Sequence, residues 1–320
     1  MHVRIEGAMP SLITHDYFGR EFLSRNQETS QWSADQKDAY LLGNQGPDPF
    51  FYAIITPRFY HYTGIGSLLH AQKPTGFLVA FSHACKKQSG TNHLIAKAYL
   101  HGFLGHYLLD RTVHPFVYSQ ENAFCSAGIE GLTEDDHSEV HATIEREFDE
   151  MVCYQKYGLT VKKFRPHQDI LRASDTVLRL ISRIYIEAIF QTYHRVVPYD
   201  LFEKSVQNFR LVQRLFYSPQ GIKRKALAYL EKCVRNHSFY ASMSHLAIPR
   251  TTCDFANDDH QSWVNPFTNE CHNESFWDLF EQAQESAKEL KPLYCLPEIT
   301  PDEARVITQG LNFSGEEVEV

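Results

Sequence analysis

The chain has 320 residues, 31 basic and 39 acidic, for a formal charge of −8 at pH 7, with 43% hydrophobic and 13% aromatic side chains. That usage excludes a disordered chain, a collagen-like repeat or a disulfide scaffold. No basic block offsets the negative charge, so duplex nucleic acid is not an expected partner.

Histidine is the outlier, with 17 copies, several sharing short segments with Asp or Glu. Its imidazole is the commonest metal ligand and a proton carrier near neutral pH. Residues 1–8 hold no apolar run followed by a small-residue cleavage site, and no segment is apolar enough to span a bilayer, so the expectation is a cytoplasmic chain without a transmembrane segment. Seven cysteines, Cys85, Cys125, Cys153, Cys233, Cys253, Cys271 and Cys295, are widely spaced without a C-x-x-C pair, which reads as reduced thiols.

In chain order, residues 43–49 form a turn-rich loop in which Asp48, between two prolines, is a turn residue on composition alone. Ile95, Ala98, Leu100, Leu104 and Leu108 recur at helical spacing and predict a partly buried helix over 95–109. Further helices are predicted over 176–193, 201–217 and 222–234, making the last two thirds a helical bundle. A long polar loop covers 250–273. Ser275 caps a predicted helix to about residue 290, and Thr300-Pro301-Asp302-Glu303 combines a capping box with proline at the first helical position. There is no sustained strand alternation and no internal repeat. The expected architecture is all-α: a single large helical bundle domain over 10–312 with a metal cluster between its helices, after an extension at 1–9 and before a frayed tail at 313–320.

Two segments have metal-ligand spacing. His106, Asp110 and His114 follow one another at i, i+4, and each step turns only about 40° around a helix, so the three share a narrow face. Pro115 disfavours helical geometry at the residue before it, so His114 is expected where the helix ends or bends. His137, His141 and Glu145 repeat the spacing on a second segment, where His137, beside Asp135 and Asp136, can equally be a solvated side chain. Imidazole nitrogen with carboxylate oxygen suits Zn²⁺ and, less selectively, Fe²⁺, Mn²⁺ or Co²⁺. A single His–acid pair at this spacing is more often a surface ion pair; two triplets shift the balance toward metal.

The chain resembles the zinc-dependent phospholipase C proteins, which share an all-helical fold with single-strand-specific nucleases. The resemblance is carried by Pro10-Ser-Leu-Ile-Thr-His15-Asp-Tyr-Phe-Gly, Gly43-Asn-Gln-Gly-Pro-Asp48-Pro-Phe-Phe-Tyr52, Gly66-Ser-Leu-Leu-His70, the His106/Asp110/His114 run and the His141/Glu145 pair, in that order. Residues 257–279 add a weaker echo. The resemblance implies two or three Zn²⁺ ions: Asp48, His70, His106 and Asp110 around one, His15 with a bridging Asp110 at a neighbour, and His114, His141 and Glu145 around a third. It also implies that Asp48 orients or deprotonates the attacking water. Its secreted members use a terminal amine as a ligand. Initiation at Met9 with loss of that methionine would place the Pro10 amine five residues before His15. The step from Asp110 to His114 is shorter than in those members.

The expected activity is therefore a metal-dependent phosphodiester hydrolase acting on phospholipid head groups in phospholipase C fashion. The alternatives are a nucleotidase or single-strand nuclease, which needs a base-stacking aromatic and positive potential along the strand path, and a metal-binding helical protein without hydrolytic activity. Phe50, Phe51, Tyr52, Tyr60 and Tyr62 flank proposed ligands and are candidates for a lipid cleft, though aromatic residues are more often core.

Overall fold

The structure, a computed structural model, describes residues 11–127, 137–218, 220–231, 244–289 and 298–319. The expectations about residues 1–9 and the Pro10 amine, and those on Cys233 and Cys295, lie outside these residues. The all-α expectation holds. The early helices are α1 (Leu12–Arg25), α2 (Ala34–Gly43), α3 (Ile65–Ala71), α4 (Pro74–Lys86), α5 (Gly90–Ser126) and α6 (His137–Tyr157). There follow α7 (Pro166–Asp169), α8 (Asp175–Tyr193), α9 (Leu201–Phe216), α10 (Ile222–Glu231), α11 (Phe276–Glu289) and α12 (Pro301–Thr308). Three 3-10 helices (Gln27–Gln31, Asp48–Ile55, Pro57–Tyr62) precede α3. The polar segment 250–273 contains a short antiparallel hairpin, β1 (Trp263–Val264) with β2 (Cys271–His272), too brief to register as strand alternation. No helix of the described residues is long and apolar enough to cross a membrane. Cys85, Cys125, Cys153, Cys253 and Cys271 are free thiols.

Two compact units alternate along the chain. One draws on Met1–Tyr17, Val113–Ile170 and Leu211–Leu279; the other on Phe18–Thr112, Leu171–Arg210 and Phe280–Val320. Each is held together by its own aromatic core.

In the second of these units, α4 packs along α8. Phe77, Phe81, Tyr99, Phe103, Tyr185 and Phe202 are buried there, with Phe81 stacked on Phe103 and Tyr185 on Phe202. The phenols Tyr99 and Tyr185 pay no orphan-hydroxyl penalty. Their oxygens lie 2.8 Å apart, and each is 3.2 Å from the Gly46 carbonyl, which accepts from them. Helices α2 and α5 meet backbone to backbone: a Cβ on Gly102 would sit 2.0 Å from the Tyr40 carbonyl oxygen. Both devices fix the 43–48 turn, which is buried throughout rather than a surface loop.

In the other unit, Phe148 stacks on Phe276 and Phe116 meets Trp263 edge-on. Asp149 on α6 accepts from the Ile13 and Thr14 amides, the Thr14 hydroxyl and His245 Nε2. A buried carboxylate thus satisfies amide donors of the first turn of α1, where negative charge is favoured. Glu150 accepts from the Leu246 amide at 2.6 Å and from Arg250 Nε at 3.0 Å, tying the 244–250 segment to α6.

Two expectations give way. Helix α5 does not end at His114; it runs 37 residues with Pro115 inside it. Pro115, Phe116 and Val117 are all buried, and packing of that face outweighs the local disfavour and the missing amide. The tail is not frayed through Glu319. Leu311 bridges Glu317, the Gly310 carbonyl accepts from the Val318 and Glu319 amides, and Asn312 Oδ1 accepts from the Ser314 and Glu316 amides. Phe313 supplies the anchor, being 2% exposed.

Candidate metal centre

Asp48, His70, His106 and Asp110 come together inside one unit. Asp48 opens a 3-10 helix directly after the buried turn, with its side chain 3% exposed. His70 lies in the last turn of α3, and its Nδ1 donates to the Gly66 carbonyl one turn back at 2.8 Å. That bond puts the proton on Nδ1 and leaves Nε2 with its lone pair for a ligand, 3.0 Å from Asp48 Oδ1. His106, fully buried on α5, places Nε2 3.1 Å from Asp110 Oδ2 and 3.7 Å from Asp48 Oδ1. The ligand atoms of Asp48, His70 and His106 all lie within 4.8 Å of one another, spacing that can hold a metal ion.

Two observations test whether the pocket suits a cation. Asp48 Oδ2 is buried with no hydrogen-bond partner among the described residues, and an anionic oxygen in that position is costly unless a cation balances it. The turn also closes on the ligand: Gly46 has φ +48°, and a Cβ there would sit 2.0 Å from His106 Cδ2. Only glycine permits both the left-handed backbone and the close approach. The residues present fit a cation.

Phe313 walls the group. Its ring lies 4.8 Å from that of His70 and 5.6 Å from that of His106, and its amide donates to the His70 carbonyl at 3.2 Å. Phe51 also stacks on the His70 ring, at 5.0 Å. Of the other aromatic residues expected near ligands, Phe50 packs on Tyr185 and Phe202 and Tyr52 stacks on Phe209 at 4.1 Å. These two are core, while Tyr60 is exposed.

His114, His141 and Glu145 form a second group in the other unit. His141 Nε2 and His114 Nε2 stand 3.4 Å and 3.5 Å from Glu145 Oε1, and this set also has the spacing to hold a metal ion. Burial alone would lower the His141 pKa, but the Glu145 carboxylate and the Glu121 hydrogen bond hold it well above the ordinary imidazole value. Burial likewise opposes ionisation of Glu145, yet the charge of His141 and the His114 contact draw its pKa below the usual carboxylate range. The two shifts share a cause: the Glu145 carboxylate between two imidazoles favours positive charge beside it, which a proton or a cation can supply.

His137 is not in that group. Its Nδ1 lies 2.6 Å from Glu121 Oε1, while Glu121 Oε2 lies 2.9 Å from His141 Nδ1. Glu121 therefore aims the His141 ring, holding Nδ1 and turning Nε2 toward Glu145. Sequence reasoning missed this residue, although it sits seven positions after His114, two turns along the same face of α5. Nothing in the sequence pointed to Phe313.

His15 is 3% exposed on α1, one residue beyond the amides that Asp149 caps. It belongs to the unit that carries His114, His141 and Glu145, whereas Asp110 belongs to the other. No family model, curated protein or solved structure matches the chain.

Proposed function

We propose that this chain is a zinc-dependent phosphodiester hydrolase of phospholipase C type, cleaving phospholipids on the glycerol side of the phosphate. The observation that carries the reading is the buried Asp48–His70–His106–Asp110 group with its orphaned carboxylate oxygen. Mixed imidazole and carboxylate donors without a thiolate suit Zn²⁺. The resemblance, rather than the geometry of either unit, adds His15 to the ligand set, and with it a second or third ion.

A divalent cation held there would supply charge neutralisation for the phosphate oxygens and would acidify a water. The protein's residues do the rest. The carboxylate of Asp48 has one oxygen turned to His70 and the other unpartnered, so it can accept the proton of an attacking water while staying fixed by the 3-10 helix it opens. His70 is locked in one tautomer by the Gly66 carbonyl. Phe313 and Phe51 line the His70 ring with apolar surface, which excludes water and strengthens electrostatic interactions within the group.

The test is metal analysis of the purified protein, followed by a panel of phosphatidylcholine, an activated phosphodiester and a single-stranded oligonucleotide, with His106→Ala alongside. Bound zinc, head-group release and a loss of at least about a hundredfold in His106→Ala are the expected results. Cleavage of the oligonucleotide alone would replace the lipid substrate with a nucleic acid. Stoichiometric zinc without turnover on any substrate would leave a metal-binding protein and sink the hydrolase.

A further inference from the structure

Asp48, His106 and Asp110 are 3%, 0% and 5% exposed, so a solute reaches their ligand atoms only if something beside them moves. Two aromatic walls stand against the group. Phe51 lies inside the 3-10 helix that Asp48 opens, and withdrawing it would carry a candidate ligand away. Phe313 is placed differently. It sits on the 310–319 segment, which contributes no member of the group, and its ring packs on His70, His106, Phe103 and Tyr107.

That segment is a closed loop on a fixed base. The base is α12, where Thr308 Oγ1 meets Thr75 Oγ1 at 2.6 Å and the Tyr107 hydroxyl lies 3.0 Å from the Thr308 carbonyl. Beyond it the chain folds back on itself: the Gly310 carbonyl accepts from the Val318 and Glu319 amides, and the Asn312 amide donates to the Glu316 carbonyl at 2.8 Å. The turns rest on Gly310 and Gly315, at φ +75° and +78°, a left-handed backbone that glycine adopts freely. A Cβ on Gly310 would lie 2.3 Å from the Glu319 carbonyl oxygen, so the loop is drawn tight at its neck. A loop bonded to itself in this way keeps those bonds when it swings, which makes local opening cheaper than unfolding.

The ties to the rest of the unit are of another kind. The Phe313 amide donates to the His70 carbonyl, and the Leu311 carbonyl lies 2.6 Å from the Tyr107 hydroxyl. At the far end the Glu319 carboxylate accepts from the Thr75 amide at 3.3 Å. Thr75 follows the proline that opens α4, so this carboxylate serves an amide of a helix start, where negative charge is favoured.

We propose that the 310–319 loop is a lid over the Asp48 group, opening as one piece about its glycine neck and withdrawing Phe313 from His70 and His106. Closed, it shields the ligand atoms with an apolar ring; open, it admits a phosphate ester or an exchanging divalent cation. Glu319 is the catch. The lid deepens the metal-site reading above and does not depend on the lipid substrate.

The test is carbethoxylation of the metal-free full chain by diethyl pyrocarbonate. The rate at His70, whose Nε2 carries the lone pair that the reagent attacks, is read by peptide mass spectrometry against exposed His61 as internal reference. Wild type, Glu319→Ala and Phe313→Ala are compared, with circular dichroism checking their folds. Glu319→Ala keeps the ring and loses the catch, so its His70 rate should rise about fivefold, the worth of one hydrogen bond, with His61 unchanged. A faster rate in Phe313→Ala beside a wild-type rate in Glu319→Ala would make the ring a fixed wall and overturn the lid. So would wild-type amides of 311–319 that exchange with deuterium as slowly as those of 95–109. If the His70 rate rises as stated while zinc-loaded protein turns over no substrate, the lid stands and the hydrolase does not.

Discussion

A methyl group at position 46 would have nowhere to go. The backbone is left-handed there and His106 lies against it, so Gly46→Ala incurs about 1–2 kcal/mol from the backbone alone and pushes the His106 ring off its line to Asp110. The expected outcome is a lower denaturation midpoint together with weaker zinc binding, read by urea titration and by competition against a chromophoric chelator. Unchanged zinc affinity would show that the turn does not position His106. Glu121→Ala is expected to weaken zinc at the His114/His141/Glu145 group by about 10–100-fold, because the His141 ring loses the carboxylate that fixes its tautomer. Five of the eight ligand candidates, His106, Asp110, His114, His141 and Glu145, were legible because imidazoles and carboxylates at i, i+4 are a spacing signal, whereas His15, Asp48 and His70 entered only through the family resemblance. Glu121 was overlooked because its partners His137 and His141 lie 16 and 20 residues away on another helix, beyond the reach of i, i+4 spacing. Asp48 was readable only as a turn residue by composition, since burial of the turn depends on Tyr99 and Tyr185, far along the sequence.

Helix boundaries were most legible where side chains cap them. Thr300 and Glu303 form the reciprocal capping box expected at α12, and Ser275 and Asp278 do the same at α11. The Asp278 carboxyl is held below its ordinary value of 3.8, chiefly by the Ser275 hydrogen bonds. A depressed carboxylate contributes stability that is complete above the unfolded pKa and lost as pH falls through the folded one. Ser275→Ala should thus cost about 1 kcal/mol at neutral pH, with the deficit shrinking once the pH drops below about 4. Denaturant titrations at both pH values check this, and a deficit independent of pH would detach the cap from Asp278. Helix α4, which has no side-chain cap, was missed. The α4 segment is buried on most of its circumference, Phe77, Leu78, Ala80, Phe81, Ala84 and Cys85 included, so no polar stripe marks its period. At Pro115 the local rule pointed the wrong way because a 37-residue helix with a buried face overrides one unfavourable residue.

Within one unit the candidate ligands are drawn from α3, α5 and the segment after α2, and within the other from α5 and α6, stretches far apart in the sequence. Because such a set does not exist in the unfolded chain, zinc should stabilise the native state by about 2.7 kcal/mol at a hundredfold excess over Kd. Scanning calorimetry of zinc-loaded and chelated protein should therefore separate the two by about 4 °C. Coincident transitions would mean that neither group binds the ion. The all-helical class was legible from periodicity in the last two thirds. The division into two units, each assembled from three separate stretches, was not, because every boundary falls inside or beside a helix instead of in a linker. The position of Phe313 has a temporal corollary. A ribosome synthesises all the ligands of the Asp48 group well before it reaches this residue, so the nascent group passes through a stage in which the His70 and His106 rings lack that wall. An ion offered during that interval would meet the two imidazoles without the Phe313 ring against them.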